Sequence, residues 1–290
     1  MSEYAHSESL VSTDWVVQHS ADTNVKIVEV DVVTASYEKG HIKGAIGWDW
    51  QADLQDRVQR DVVDPRTFAE LCRRSGINND DTVILYGDNN NWFAAWALWQ
   101  FKYHGHKDVR LMNGGRKKWE LENRQFTTQL PTVTRSNYTI PATDESIRAY
   151  RDEVLSTLKQ SKINLVDVRS PDEFTGKIIA PPGMNETAQR AGHIPGARNI
   201  PWSKAANEDG TFKSADDLRK LYADVDVNKP TIAYCRIGER SSHTWFVLKY
   251  LLGMNQVKNY DGSWTEWGNL VGAPIETGES APPTPNVNCT

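Results

Sequence analysis

Residues 81–105, DTVILYGDNNNWFAAWALWQFKYHG, and residues 229–253, KPTIAYCRIGERSSHTWFVLKYLLG, decide the fold. They lie 148 residues apart and match in kind from end to end. Each opens with a short apolar run of the type found in parallel strands buried on both faces. A turn follows, then a longer apolar segment closed by Gly, which reads as a buried helix. Strand, turn and helix in that order imply an α/β fold with a largely parallel sheet.

Other blocks repeat around this pair in the same order. VDVV (30–33), GHIKGA (40–45) and MNGGRKKW (112–119) answer to VDVR (166–169), GHIPGA (192–197) and YDGSWTEW (260–267). Two copies make a tandem domain pair rather than a solenoid. DPRTFAELCRRSG (64–76) and SADDLRKLYADV (214–225) read as capped amphipathic helices, one in each copy. The expected division is a first domain over 1–130, a polar linker with prolines over 131–145, a second domain over 146–278 and a loose tail over 279–290.

The 290 residues suffice for two domains, and 39% hydrophobic with 24% charged residues is a globular composition. A net charge of −5 offers no basic field for nucleic acid or an anionic membrane. The start, MSEYAHSESLVSTDW, lacks a basic stretch followed by an apolar core, and no run is long enough to span a bilayer. Cys72, Cys235 and Cys289 form neither a disulfide framework nor a zinc site. A cytoplasmic protein without a metal or organic cofactor is expected.

Chemistry concentrates after the second copy's strand. Cys235 begins the turn CRIGER, with Arg236 and Arg240 beside it and Gly238 at the bend. Ligands in open α/β sheets sit beyond the carboxyl ends of strands. A turn leading into a helix N-terminus aims amide N–H groups inward and favours an anion or a thiolate. The Cys235 thiol is therefore expected to titrate below its ordinary range. The first copy has Gly87 at this position, followed by DNNN, so it lacks both the thiol and the cations. One working site and one inactive copy are expected. Cys72 falls in a helix and Cys289 in the tail. His41 and His193 recur in both copies and read as turn residues; His243 reads as a plain helix residue. Asp31 and Asp167 read as matched strand ends that anchor loops. Trp119 and Trp267 read as framework, while Trp264, opposite Arg116, is a candidate pocket wall.

These motifs resemble the rhodanese family of sulfurtransferases over nearly the whole chain, in its tandem-domain, thiosulfate-using form. GHIxGA in both halves, NGGxxxW, DGSWxEW and CRxG carry the resemblance jointly. It implies that Cys235 attacks the outer sulfur of thiosulfate, releases sulfite and holds a persulfide. The sulfur then passes to cyanide, a thiol or a thioredoxin-like protein. Substrate contacts are expected from Arg236, Ile237, Gly238, Glu239, Arg240 and Ser241, with Arg190 as a weaker candidate. The chain departs from the pattern of vertebrate thiosulfate enzymes at Ile237, where they carry Lys, and at Glu173, where they carry Arg. A 3-mercaptopyruvate sulfurtransferase is the nearest alternative, although those members tend to have a small residue where Arg236 stands. A persulfide carrier for a protein acceptor is another. A cysteine phosphatase needs Arg six positions after Cys, and Ser241 occupies that place.

Overall fold

The computed structural model describes residues 3–158, 163–183 and 188–279. Cys289 and all but the first residue of the 279–290 tail lie outside them. The first half builds a sheet from β1 (Leu10–Val11), β2 (Val25–Glu29), β3 (Ile46–Gly47), β6 (Thr82–Tyr86) and β7 (Val109–Met112). A small antiparallel hairpin, β4 (Gln55–Asp56) and β5 (Asp61–Val62), stands apart. The sheet order is β1-β7-β6-β2-β3, with every neighbouring pair parallel. The second half repeats the plan with β8 (Asn164–Asp167), β9 (Arg198–Asn199), β10 (Thr231–Tyr234) and β11 (Val257–Tyr260), in the order β11-β10-β8-β9 and all parallel. β6 and β10 are inner strands with every residue buried, which is why TVILY and TIAY are apolar without alternation.

The helices start where the sequence places caps. The Asp64 side chain accepts the N–H groups of Arg66 and Thr67, and Pro65 opens the helix Pro65–Arg74. Ser214 accepts the Asp217 N–H and opens Ala215–Leu221. The helix after each inner strand, Asp88–Tyr103 and Glu239–Phe246, faces the other across the middle of the molecule. Their side chains belong to one apolar cluster that includes Phe93, Trp96, Trp245 and Phe246. The linker is also held: Tyr138 is fully buried with its hydroxyl 3.2 Å from His106 Nδ1, and the Ser136 N–H donates to the Arg73 carbonyl.

The strand register corrects one repeat match. Glu29 lies beside Tyr86 as Asp167 lies beside Tyr234. The N–H groups of Val30 and Val168 donate to the carbonyls of those tyrosines. VEVD (28–31), not VDVV (30–33), is thus the counterpart of VDVR (166–169). A slide of two residues keeps each side chain on the same face, so alternation alone accepts either register. Asp31 stands at the place of Arg169, not of Asp167.

Candidate active site

Cys235 leaves β10 at its carboxyl end, and its turn is fastened to residues 259–265. The Cys235 N–H donates to Ser263 Oγ at 3.0 Å, and its carbonyl accepts the Trp264 N–H at 3.1 Å. The Arg236 carbonyl accepts the Thr265 N–H and hydroxyl at 3.0 and 2.7 Å. Asn259 donates to the Gly238 carbonyl at 3.0 Å and to Ser242 Oγ at 2.9 Å, and accepts the Ser241 hydroxyl at 2.6 Å. Gly238 has φ +92°, and a Cβ there would lie 2.6 Å from Asp261 Cα. Only glycine meets both conditions. Asn259, Ser263 and Thr265 escaped the sequence reasoning, although the last two lie in the YDGSWTEW block and Asn259 directly precedes it.

The turn holds Cys235 with no exposed surface, and Arg236, Ile237, Glu239, Arg240 and Ser241 are buried with it. Glu239 turns its carboxylate inward. The Cys235 thiol donates to Glu239 Oε2 at 3.1 Å, and the Ile237 N–H donates to the same oxygen at 3.0 Å. Ser241 Oγ lies 3.6 Å from the sulfur. The thiol does not titrate low, as its cationic neighbours suggested. Burial pushes its pKa up and the Glu239 carboxylate adds to that, while Arg240 and Ser241 offset only part. The sequence shows charges by proximity along the chain; it does not show which of them is aimed at the sulfur.

Both arginines are answered by carboxylates. Arg240 makes a forked pair with Glu173, each arm 3.0 Å, under the ring of Trp92 from the first half at 5.7 Å. Burial would raise the Glu173 pKa, but the bond and charge of Arg240, the Ser170 N–H and the charge of Arg169 together outweigh it and hold the carboxyl below its ordinary value. Glu173 also receives the Ser170 N–H at 3.0 Å, closing a capping box at the start of Pro171–Thr175. Arg236 Nη2 lies 3.5 Å from Glu239 Oε1, and Arg240 Nε lies 3.8 Å from the same oxygen. The residue that departs from the vertebrate pattern at 173 is thus the partner of the residue that retains the cation at 240.

Arg190 is placed elsewhere. Its guanidinium donates to the carbonyls of Trp267, Gly268, Leu270 and Ala273, so it clamps the chain after the helix Ser263–Trp267. Its five donors match a row of carbonyls, which removes it as an anion contact. Trp264 is fully buried; its indole N–H donates to the Arg190 carbonyl, and its ring lies 4.4 Å from the Arg169 guanidinium. Arg169 is paired with Asp167 and donates to the Gly192 carbonyl. In the first half Arg116 pairs with Glu29 and donates to the matching Gly40 carbonyl. The cation therefore comes from position 169 in one half and from the Trp264 counterpart in the other.

The remaining candidates are framework. His41 Nδ1 meets the Tyr37 carbonyl and its ring stacks on Tyr37; His193 repeats this with Phe174. Trp119 and Trp267 each donate their indole N–H to a carbonyl six or seven residues on. His243 lies buried among Trp202 and Phe212. Where the first half lacks the thiol, Gly87 is followed by Asn89, Asn90 and Asn91, all at positive φ. A Cβ on Gly87 would lie 2.1 Å from the Val30 carbonyl oxygen. Among the described residues no group of three or more His, Cys, Asp or Glu side chains is arranged to hold a metal ion, and no helix is long and apolar enough to cross a membrane.

Comparison with known proteins agrees with this geometry. The pattern of the rhodanese-like domain matches residues 12–122 and again 150–270. The chain is 59% identical over 282 residues to the "Sulfur carrier protein TtuD" of Thermus thermophilus, covering 95% of this chain and 99% of the relative. It is 60% identical over 277 residues to a Mycolicibacterium smegmatis protein named "Putative thiosulfate sulfurtransferase", covering 94% and 99%. The Escherichia coli 3-mercaptopyruvate sulfotransferase SseA superposes with a TM-score of 0.78 at 26% identity, covering 88% of this chain and 98% of that one. Two parallel α/β sheets in tandem, a thiol at the end of an inner strand in one of them, and these matches along both halves place the chain in the rhodanese family.

Proposed function

We propose that the protein is a sulfurtransferase that carries sulfane sulfur as a persulfide on Cys235, taking it from thiosulfate and passing it to cyanide or a thiol acceptor. The carrying observation is the Cys235 turn, present in one half only, where Glu239 and Ser241 face the sulfur and Ser263 holds the Cys235 N–H. Arg236 and Arg240 are the donors nearest an incoming anion. The reaction keeps its electrons in balance. The Cys235 thiolate bonds the outer sulfur, the sulfur–sulfur bond of thiosulfate breaks, and its electron pair leaves with sulfite. Names among the relatives support this reading at the level of sulfur transfer.

A second reading has its own support. Both arginines face carboxylates, Glu173 and Glu239, so the turn carries no excess positive charge to hold a dianion. That balance favours a donor or acceptor of lower charge, such as a protein persulfide or mercaptopyruvate, and agrees with a relative named as a sulfur carrier. The deciding experiment is intact mass after treatment with thiosulfate, mercaptopyruvate or inorganic polysulfide, followed by peptide mapping. One added sulfur on the peptide containing Cys235 is expected, and none in Cys235→Ser; Cys72→Ser should load normally. Loading that survives Cys235→Ser removes the proposal, and the preferred donor separates the two readings.

A further inference from the structure

In the resting protein the thiol is buried and faces a carboxylate rather than water. A buried thiol needs somewhere to send its proton before it can attack sulfur. The geometry points to Glu239 as the proton acceptor of Cys235, a catalytic residue that takes the proton when the cysteine is loaded with sulfur and returns it on discharge. This rests on the persulfide reading above, and it replaces the expectation of a ready-made thiolate.

Three observations carry it. Glu239 Oε2 is the acceptor of the thiol proton at 3.1 Å, within the range for proton transfer. The Ile237 N–H, 3.0 Å from the same oxygen, fixes the carboxylate there instead of letting it swing out to the surface. Glu239 Oε1 is buried and faces the guanidinium nitrogens of Arg236 and Arg240 at 3.5 and 3.8 Å, which keeps the second oxygen inside the turn as well. The other charged groups facing this pair are Arg236 and Arg240 from the turn and Glu173 behind Arg240; Ser241, Asn259 and Ser263 supply only neutral contacts. From the first half the ring of Trp92 reaches Arg240. Among the described residues no other carboxylate or imidazole hydrogen-bonds the sulfur.

The step balances. Cys235 S–H and Glu239 carboxylate become thiolate and carboxylic acid. The thiolate then takes the outer sulfur of thiosulfate, and sulfite leaves with the electron pair of the broken bond. The site goes from thiol plus carboxylate to persulfide anion plus carboxylic acid, so its total charge is unchanged. In a site closed to water this avoids placing two anions side by side. The new acid can also donate a hydrogen bond to the persulfide. On discharge the acceptor takes the outer sulfur, the thiolate reforms, and Glu239 returns its proton.

The test is single-turnover loading, read by intact mass against pH, in wild type, Glu239→Gln and Glu239→Asp. Wild type should load at a rate nearly independent of pH between about 6 and 8, because the thiol proton passes to Glu239 rather than to solvent. Glu239→Gln should load at least tenfold more slowly at neutral pH. Its rate should rise with pH toward the tenfold-per-unit slope of a thiol that must ionise to solvent. Glu239→Asp, which keeps the carboxylate, should keep the flat profile. A merely structural Glu239 would change the rate without changing the slope. Proton release measured in weakly buffered wild type is a second reading that needs no variant. Loading at mildly alkaline pH should release no proton, since Glu239 keeps it. Glu239→Gln with the wild-type slope, or one proton released by wild type, overturns the relay alone. Wild type that takes sulfur from no donor overturns the persulfide reading instead.

Discussion

The Arg240–Glu173 pair shows how one residue resets a whole site. A guanidinium next to a nucleophilic sulfur is an anion receptor, but a forked carboxylate partner occupies its best face. Removing the partner's charge should free that face. Glu173→Gln is expected to lower KM for thiosulfate by roughly tenfold, the order of one charge-assisted hydrogen bond. It should also cost about 1–3 kcal/mol of stability, because the capping box and a buried ion pair both lose strength. Steady-state kinetics and urea unfolding read the two effects. An unchanged or higher KM would show that Arg240 serves the fold and not the anion. The same pair has a pH signature. The Glu173 pKa is held down in the folded protein, so its contribution is present above the ordinary carboxylate range and is lost as pH falls through the lowered value.

Among the elements, the Cys235–Arg240 turn depends on a left-handed glycine jammed against the strand-end turn beside it. Gly238→Ala meets both a φ of +92° and a Cβ position 2.6 Å from Asp261 Cα, so the turn must shift. A loss of roughly 1–3 kcal/mol is expected from the conformation alone. Sulfur loading should fall by on the order of a hundred-fold if the amides move by about 1 Å. Chemical denaturation and the mass assay check it; near-wild-type loading would mean that the turn tolerates displacement. Much of this was legible beforehand. A strand, a turn with Gly at its bend and a glycine-stopped helix are local patterns, and TIAYCRIGER announces them. Side-chain direction was not legible. The sequence puts Glu239 among the expected substrate contacts, and only the three-dimensional path of the turn aims it at Sγ. Arg190 looked available because its partners, the carbonyls of residues 267–273, lie about 80 positions away. The two-residue slip between VDVV and VEVD arose because a strand's period leaves such slips silent until a neighbouring strand fixes the pairing.

The whole molecule is held by contacts that neither half makes alone. The helices Asp88–Tyr103 and Glu239–Phe246 bury each other's apolar sides. Arg148 joins Asp261 at 2.8 Å and also Asp61 on the hairpin of the first half, and Lys118 reaches Asp209 at 2.8 Å. Ala5 and His6 donate to the carbonyls of Leu251 and Tyr250 across the same seam. Each half expressed by itself should therefore expose a large apolar face and associate or aggregate. Co-expression of 1–130 with 131–290 should restore sulfur loading. Size-exclusion chromatography and the mass assay decide this, and a monomeric, fully active 131–290 fragment would contradict it.

The carbonyl of Val30 sits 2.1 Å from the point where Gly87 would carry a Cβ. In the first half the backbone closes over that position. Asn91 accepts the Gly87 N–H and donates to the Met112 carbonyl beside it. Glu29 is neutralised by Arg116 in an arrangement the second half does not share. A thiol placed there would thus meet a wall rather than a vacant seat, and the arginines of the Cys235 turn have no counterpart in DNNN. The half without the thiol is built as a brace for its twin, and its shape leaves no second workplace at Gly87.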